Sequence, residues 1–170
     1  MNATNLLDRR HVVARLLADR RNLLVVSGLG SATYDCAAAG DDPRNFYLWG
    51  AMGGTAAIAL GLALAQPDKP VLGITGDGDM LMGLGALSTI GAQALANLSI
   101  IVLDNEVYGE TGAQPSATAH GTDLTVIACA CRMNAVDEIT DMAGVDALAA
   151  RLHAGDGPLF ANIKIAPGEA

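Results

Sequence analysis

Aromatic side chains are scarce in this chain, at 4% of 170 residues, and so are basic ones: ten Lys and Arg stand against eighteen Asp and Glu. The net charge of −8 and the pI near 4.6 argue against a nucleic-acid partner, which requires a basic face. There are only three cysteines, an odd number without a framework spacing. Cys129-x-Cys131 is too tight for a zinc knuckle, so reduced thiols in a cytoplasmic protein are the expectation. Long apolar runs are missing too. The longest, Ala56 to Ala65, has ten residues and is too short to span a membrane. The polar stretch from Met1 to Arg21 carries five arginines and does not read as a signal peptide. No repeat, low-complexity tract or linker breaks the chain, which reads as one domain over residues 1–170.

What the chain has in quantity is small apolar residues. It is 51% hydrophobic with 20 glycines, the composition of an Ala/Gly/Leu/Val-packed α/β domain. Its mean hydropathy of +0.34 is high for a chain with no membrane segment. Part of its apolar surface is therefore expected to pack against another chain.

Short apolar runs alternate with helical periods. A helix is expected from a cap at Asn5 to about Arg20, with Leu6, Val13, Leu16 and Leu17 on one face. Leu23 to Val26 reads as a buried strand. It ends in the Gly-rich turn Ser27-Gly28-Leu29-Gly30-Ser31, and a helix follows through Ala39. Backbone amides at such a helix start suit an anion. As a dinucleotide fingerprint the turn is weak, because no third Gly follows at the required place. Asn45 to Leu48 is a short strand, and Trp49-Gly50-Ala51-Met52-Gly53-Gly54 opens a helix from Thr55 to Ala65. Ala57, Ala59, Gly61, Ala63 and Ala65 are expected to give that helix a thin surface. Towards the end, Asp123 caps a helix to about Arg132 and Met133 to Val136 is a weak strand. Asp141 starts a helix to His153, and Leu159 to Ile165 is the last strand.

The densest chemistry lies between Gly76 and Tyr108. A strand, Val71 to Thr75, leads into Gly76-Asp77-Gly78-Asp79. A helix is expected from Leu81 to Leu95, and a second strand, Ser99 to Leu103, leads into Asp104-Asn105-Glu106-Val107-Tyr108. In a parallel βαβ unit both polar clusters fall at the carboxyl ends of neighbouring strands, where open α/β sheets bind ligands. The Asp77 carboxylate and the Asn105 amide oxygen then share one edge, as hard oxygen ligands suited to Mg2+ held with a phosphate. Taken alone, Asp77 also reads as a cap for the following helix. The segment Gly109 to Gly121 has no hydrophobic period, and a long polar loop at a ligand edge is often functional.

Gly76-Asp77-Gly78, with 26 residues from Asp79 to Asp104 before Asn105, resembles the thiamine diphosphate-binding motif, in which Gly-Asp-Gly is followed by about two dozen residues and Asn-Asn. Nearly the whole chain is similar to the diphosphate-binding (PP) domain of thiamine-dependent 2-oxoacid decarboxylases. Six stretches carry a narrower likeness: Gly50-Ala51-Met52-Gly53, Gly76 to Met82, Ala86 to Gly91, Val102 to Asn105, Tyr108-Gly109-x-Thr111-Gly112-x-Gln114, and Gly121 to Leu124. They resemble the small β subunit of sulfopyruvate decarboxylase and the C-terminal half of phosphonopyruvate decarboxylase. The family's first Asn is Asp104 here, which brings a second carboxylate close to the site.

The resemblance implies a three-layer α/β/α fold with a mainly parallel sheet, and thiamine diphosphate and Mg2+ as cofactors. Asp77 and Asn105 would bind Mg2+ through their side chains, and Val107 through its carbonyl. Ser27, Gly28, Gly78 and Asp79 would approach the diphosphate through backbone N–H groups. Gly50 would accept a hydrogen bond from the aminopyrimidine, and Met52 would hold the cofactor's rings bent; core packing is the competing role for Met52. Ala51, Gly76, Tyr108 and Gly109 complete the expected cofactor-binding set. His120, Glu110 and Gln114 are loop candidates to protonate an intermediate or bind an acid group, with solvated side chains as the competing reading. His11 and His153 read as surface residues.

The family's catalytic glutamate bonds the pyrimidine and comes from a separate pyrimidine-binding (PYR) domain. The glutamates here are Glu106, Glu110, Glu138 and Glu169, none in a PYR-like segment. The resemblance therefore implies half an enzyme. This chain would be the diphosphate- and Mg2+-binding subunit of a split decarboxylase, releasing CO2 and an aldehyde from a small 2-oxoacid. A PYR-domain α subunit would complete a hetero-oligomer, α2β2 or larger. A 3-sulfo or 3-phosphono substrate would need a cationic clamp, for which Arg44 is the chief candidate in this chain. Competing readings are a carboligase subunit of the acetolactate synthase kind, a non-catalytic cofactor-binding homologue, and a dinucleotide-binding module. The last lacks the acidic residue that should follow the first Gly-rich turn.

Overall fold

The computed structural model describes residues 6–168. Two parallel strands, β3 (Val71–Gly76) and β4 (Leu98–Asp104), form its centre. Both are apolar along almost their whole length because helices cover both faces of the sheet. The strands β1 (Leu24–Ser27) and β2 (Asn45–Tyr47) extend it on one side, and β8 (Leu159–Lys164) and β7 (Asn134–Ala135) on the other. The order is β2-β1-β3-β4-β8-β7, and every neighbouring pair is parallel.

Successive side chains point to opposite faces, which sorts the core in two. Leu72, Ile74, Ile101, Leu103, Ala161 and Ile163 pack with residues of α1 (Arg9–Leu16), α2 (Ser31–Ala38) and α7 (Met142–Arg151). Val71, Ile100, Val102 and Phe160 pack with residues of α3 (Thr55–Ala65), α5 (Gly85–Gln93) and α6 (Leu124–Ala130). The architecture is thus three layers, α/β/α. Among the described residues no helix is long and apolar enough to cross a membrane.

Several local expectations change. The first helix begins at Arg9, capped by Asp8, whose carboxylate accepts a hydrogen bond from the His11 N–H at 2.9 Å. Asn5, the expected cap, lies outside the described residues, and Leu6 precedes the helix. The expected helix from Leu81 to Leu95 is two helices, α4 (Asp77–Met82) and α5. The break falls at Gly83, where the backbone of Gly53 lies so close that a Cβ would collide with its carbonyl. Helix α4 starts at Asp77 itself, so the Gly76–Gly78 stretch is the strand end and first helical turn in one. In α3 the thin face is Ala56, Ala59 and Ala63; Ala57, Gly61 and Ala65 are exposed. A helical face recurs at three and four residues, not two, so only Ala59 and Ala63 of the expected set reach the sheet. A Cβ at Gly73 would lie 3.2 Å from that of Ala59, so the strand answers the thin face with a glycine.

One buried charge sits behind the sheet edge. Asp35 on α2 is enclosed, with Arg9 Nε at 3.4 Å and Arg10 Nε at 3.5 Å, yet neither carboxylate oxygen accepts a hydrogen bond. Burial pushes its carboxyl above the usual range, against the pull of the two arginines. A raised folded value means the stabilising contribution is complete below the ordinary carboxylate pKa and is lost as pH rises through the folded one. Asp35→Asn does not titrate. Its melting temperature relative to the parent chain is therefore expected to rise from about pH 4 to pH 7. Thermal melts at the two pH values check this, and a gap that narrows with pH would mean the arginines outweigh burial.

Candidate functional site

The carboxyl edge of β3 and β4 opens into a cleft. Gly76 is level with Leu103, so the chain leaves these two strands side by side, into Asp77 on one and Asp104-Asn105 on the other. Asp77, Gly76, Gly78, Asp79, Asn105, Val107, Tyr108, Gly109, Glu110 and Met52 all contribute to the cleft wall. The site therefore gathers most of the expected cofactor-binding residues and all three expected metal ligands.

The charge balance at this edge is specific. Asp77 is only 2% exposed. Burial pushes its carboxyl up; hydrogen bonding from Ser116 opposes this, and the nearby Asp104 charge adds to it. Asp104, 1% exposed, is fully engaged. Its oxygens accept from Thr118 Oγ1 at 2.8 Å, Asn162 Nδ2 and Lys164 Nζ at 2.9 Å each, and the Glu106 N–H at 3.1 Å. Burial pulls the Lys164 ammonium down, but the Asp104 and Glu106 carboxylates more than reverse this and hold it above the ordinary lysine range. Asp104 is thereby committed to partners within the protein. Asn105 Oδ1 accepts from the Val107 N–H at 3.1 Å, which orients the amide and leaves its oxygen a second lone pair.

These residues fit a Mg2+ ion. One carboxylate, one amide oxygen and one carbonyl are hard donors, too few to displace all of its water, as Mg2+ prefers when it also binds a phosphate. The floor beside them is closely packed. A Cβ at Gly78 would come within 2.5 Å of the Tyr108 ring and 3.1 Å of Met52 Cε, so only glycine keeps the three together.

Asp79 plays a part the sequence did not suggest. Its carboxylate turns away from the cleft and accepts from the Gly53 N–H and from the hydroxyls of Thr55 and Thr75. It fastens the turn that carries Met52 to the turn that carries Asp77.

Other expected residues lie elsewhere. Ser27 and Gly28 stop short of the cleft: the Gly28 N–H is already bonded to the Ile74 carbonyl at 2.7 Å, and Ser27 Oγ to Thr33 Oγ1 at 2.8 Å. Leu29, Ser31 and Ala32 line the cleft in their place. Gly50 and Ala51 sit on the loop before Met52 and do not contribute to the wall within this chain. The polar segment is organised by a hairpin, β5 (Val107–Tyr108) with β6 (Gln114–Pro115), and by 3-10 turns at Gly109–Thr111 and Ala117–His120. Only Glu110 of its three catalytic candidates faces the cleft. Gln114 is exposed and bonds to Thr111, and His120 is exposed on the second turn. Arg44 is no clamp, because its guanidinium is held by Asp42 at 2.8 and 2.6 Å, away from the cleft. Arg9 is the cation on the cleft wall. Nothing in local spacing marks Arg9, Thr118 or Lys164, since each arrives from a different element.

An edge of this kind belongs to an α/β domain built to hold a diphosphate through a divalent cation. The chain belongs to the thiamine pyrophosphate enzymes: the family's C-terminal TPP binding domain matches residues 28–163. It is 42% identical over 156 residues to a phosphonopyruvate decarboxylase of Streptomyces viridochromogenes, a match covering 91% of this chain and 38% of that protein. It is 37% identical over 165 residues to the sulfopyruvate decarboxylase subunit beta of Methanothermobacter thermautotrophicus, covering 97% of this chain and 85% of that subunit. The fold is also that of a thiamine diphosphate-dependent 4-hydroxybenzoylformate decarboxylase from Rhodococcus jostii RHA1, with a TM-score of 0.80 at 22% identity over 98% of this chain and 34% of that one. The chain thus corresponds to about a third of the single-chain relatives and to most of the separate β subunit.

Proposed function

We propose that this chain is the diphosphate- and Mg2+-binding subunit of a split thiamine diphosphate-dependent 2-oxoacid decarboxylase, acting on a 3-sulfo or 3-phosphono 2-oxoacid in the cytoplasm and completed by a PYR-domain subunit. The observation that carries this reading is the opening of Asp77 and Asn105, from adjacent strand ends, into one cleft. Bound there, thiamine diphosphate would supply the electron sink that lets a 2-oxoacid lose CO2. Asp77, Asn105 and the Val107 carbonyl would hold Mg2+, and Gly78 would let the diphosphate approach the backbone. Met52 would support the cofactor from below, with Asp79 fixing its turn. Glu110 remains the group of this chain best placed to move a proton near the cleft mouth.

The need for a partner has its own support. The cleft encloses about 100 Å³, well under the ~300–1,000 Å³ of sites that enclose a small ligand. A second chain would supply the missing wall. Trp49 is 96% exposed on the loop that carries Met52, and Met82 is exposed near the end of α4, which suits a protein interface at the cleft rim.

The test is reconstitution. The chain is purified alone and with the product of the neighbouring gene, supplied with Mg2+ and thiamine diphosphate, and assayed for CO2 from a panel of 2-oxoacids. Turnover is expected only in the mixture, and with the sulfo or phosphono acid above the others. Cofactor binding without turnover on any acid would instead favour a non-catalytic homologue, and carbon–carbon bond formation a carboligase.

A further inference from the structure

Two buried carboxylates, Asp77 and Asp104, both lie within reach of the Thr118 hydroxyl. Thr118 Oγ1 lies 2.8 Å from Asp104 and 3.3 Å from Asp77. A hydroxyl has one proton to donate, and the shorter distance gives it to Asp104. Thr118 then takes no lone pair of Asp77 from a cation. What holds the proton on that side is the environment of Asp104. Lys164 and Asn162 reach it from β8, the Glu106 N–H from the turn beyond β4, and Ser116 Oγ supports Thr118 at 2.8 Å.

We infer that Thr118, braced by Asp104 and Lys164, is a positioning residue for the Asp77 metal ligand. The brace joins three parts of the chain: the end of β4, the end of β8, and the turn at Ala117–His120. It also accounts for an aspartate at position 104. A neutral amide there would not draw Lys164 in, and the Thr118 proton would turn to the Asp77 carboxylate, 3.3 Å away. Lys164 in turn balances the Asp104 charge, so that Asp104 does not compete with Asp77 for the ion. The inference rests on the cofactor reading above.

The experiment measures binding rather than turnover. Thiamine diphosphate is titrated calorimetrically into the reconstituted complex across a Mg2+ series, alongside melting temperatures in chelator. Thr118→Val is expected to raise the Mg2+ requirement about tenfold, the usual loss when a group behind a ligand is removed. Its metal-free melting temperature should move little, and Thr118→Ser should restore the parent Mg2+ requirement. Lys164→Met should weaken Mg2+-dependent binding in the same way. If Thr118→Val binds cofactor and Mg2+ as the parent does, the inference fails while the cofactor reading stands. If Lys164→Met lowers only the metal-free melting temperature, Lys164 has no positioning role and the brace fails. Should the parent complex bind no cofactor, both fall together.

Discussion

Asp77→Asn is expected to abolish Mg2+-dependent cofactor binding while leaving the metal-free chain at least as stable as before. The two halves have one cause. A buried carboxylate at a strand end is held in its charged form against desolvation, which is why burial pushes its carboxyl up. A divalent cation repays that cost, and without one the charge is a liability. The amide matches the shape, removes the liability and removes the charge that attracts the ion. Loss of cofactor affinity should exceed the roughly 10–100-fold seen when only a supporting group is changed. Calorimetry with and without Mg2+ reads the first half, and melting in chelator reads the second. A variant that binds cofactor normally would remove Asp77 from the metal site. A variant that melts well below the parent in chelator would show that Asp77 holds the fold together.

Asp79, two residues on, should behave in the opposite way. Asp79→Ala takes the acceptor from two buried hydroxyls, those of Thr55 and Thr75, and from the part-buried Gly53 N–H. Each unsatisfied donor costs roughly 1–3 kcal/mol, so a loss of about 3 kcal/mol or more is expected. For a domain of this size that is on the order of 6–12 °C in melting temperature. Cofactor affinity should fall as well, because the Met52 turn loses its tie to α4. The comparison matters because both aspartates belong to one motif. A cofactor ligand and a structural clamp are told apart by metal-free stability, which Asp79→Ala lowers and Asp77→Asn does not. Equal losses of stability in both would contradict the division of roles.

Much of this was legible along the chain. The strand runs at β3 and β4, the caps Asp123 and Asp141, and the helix from Thr55 to Ala65 follow from apolar period and turn chemistry. The spacing from Gly78 to Asn105 placed two oxygen-bearing side chains on one edge because neighbouring parallel strands end on the same side of the sheet. Where the reading failed, a distant segment had intervened. The helix after Asp79 is broken because Gly53 packs against Gly83, some thirty residues away in sequence, and no periodicity in either segment records that contact. Gly28 looked free to meet a phosphate until β3 took its N–H. Arg44 looked like a clamp until its neighbour Asp42 folded onto it, while Arg9, in the first helix, reached the cleft instead.

The amino-acid sequence by itself determined that this protein is an α/β domain with its densest polar cluster at the ends of two adjacent strands, because period, turn residues and spacing are properties of short stretches of chain. Only the tertiary structure decided that Asp79 is a clamp, that Asp104 is neutralised by Lys164, and which hydroxyl stands between the two carboxylates. Those facts depend on side chains from separate elements sharing one water-poor space, where each charge must find a partner, and the order of residues does not say which will meet.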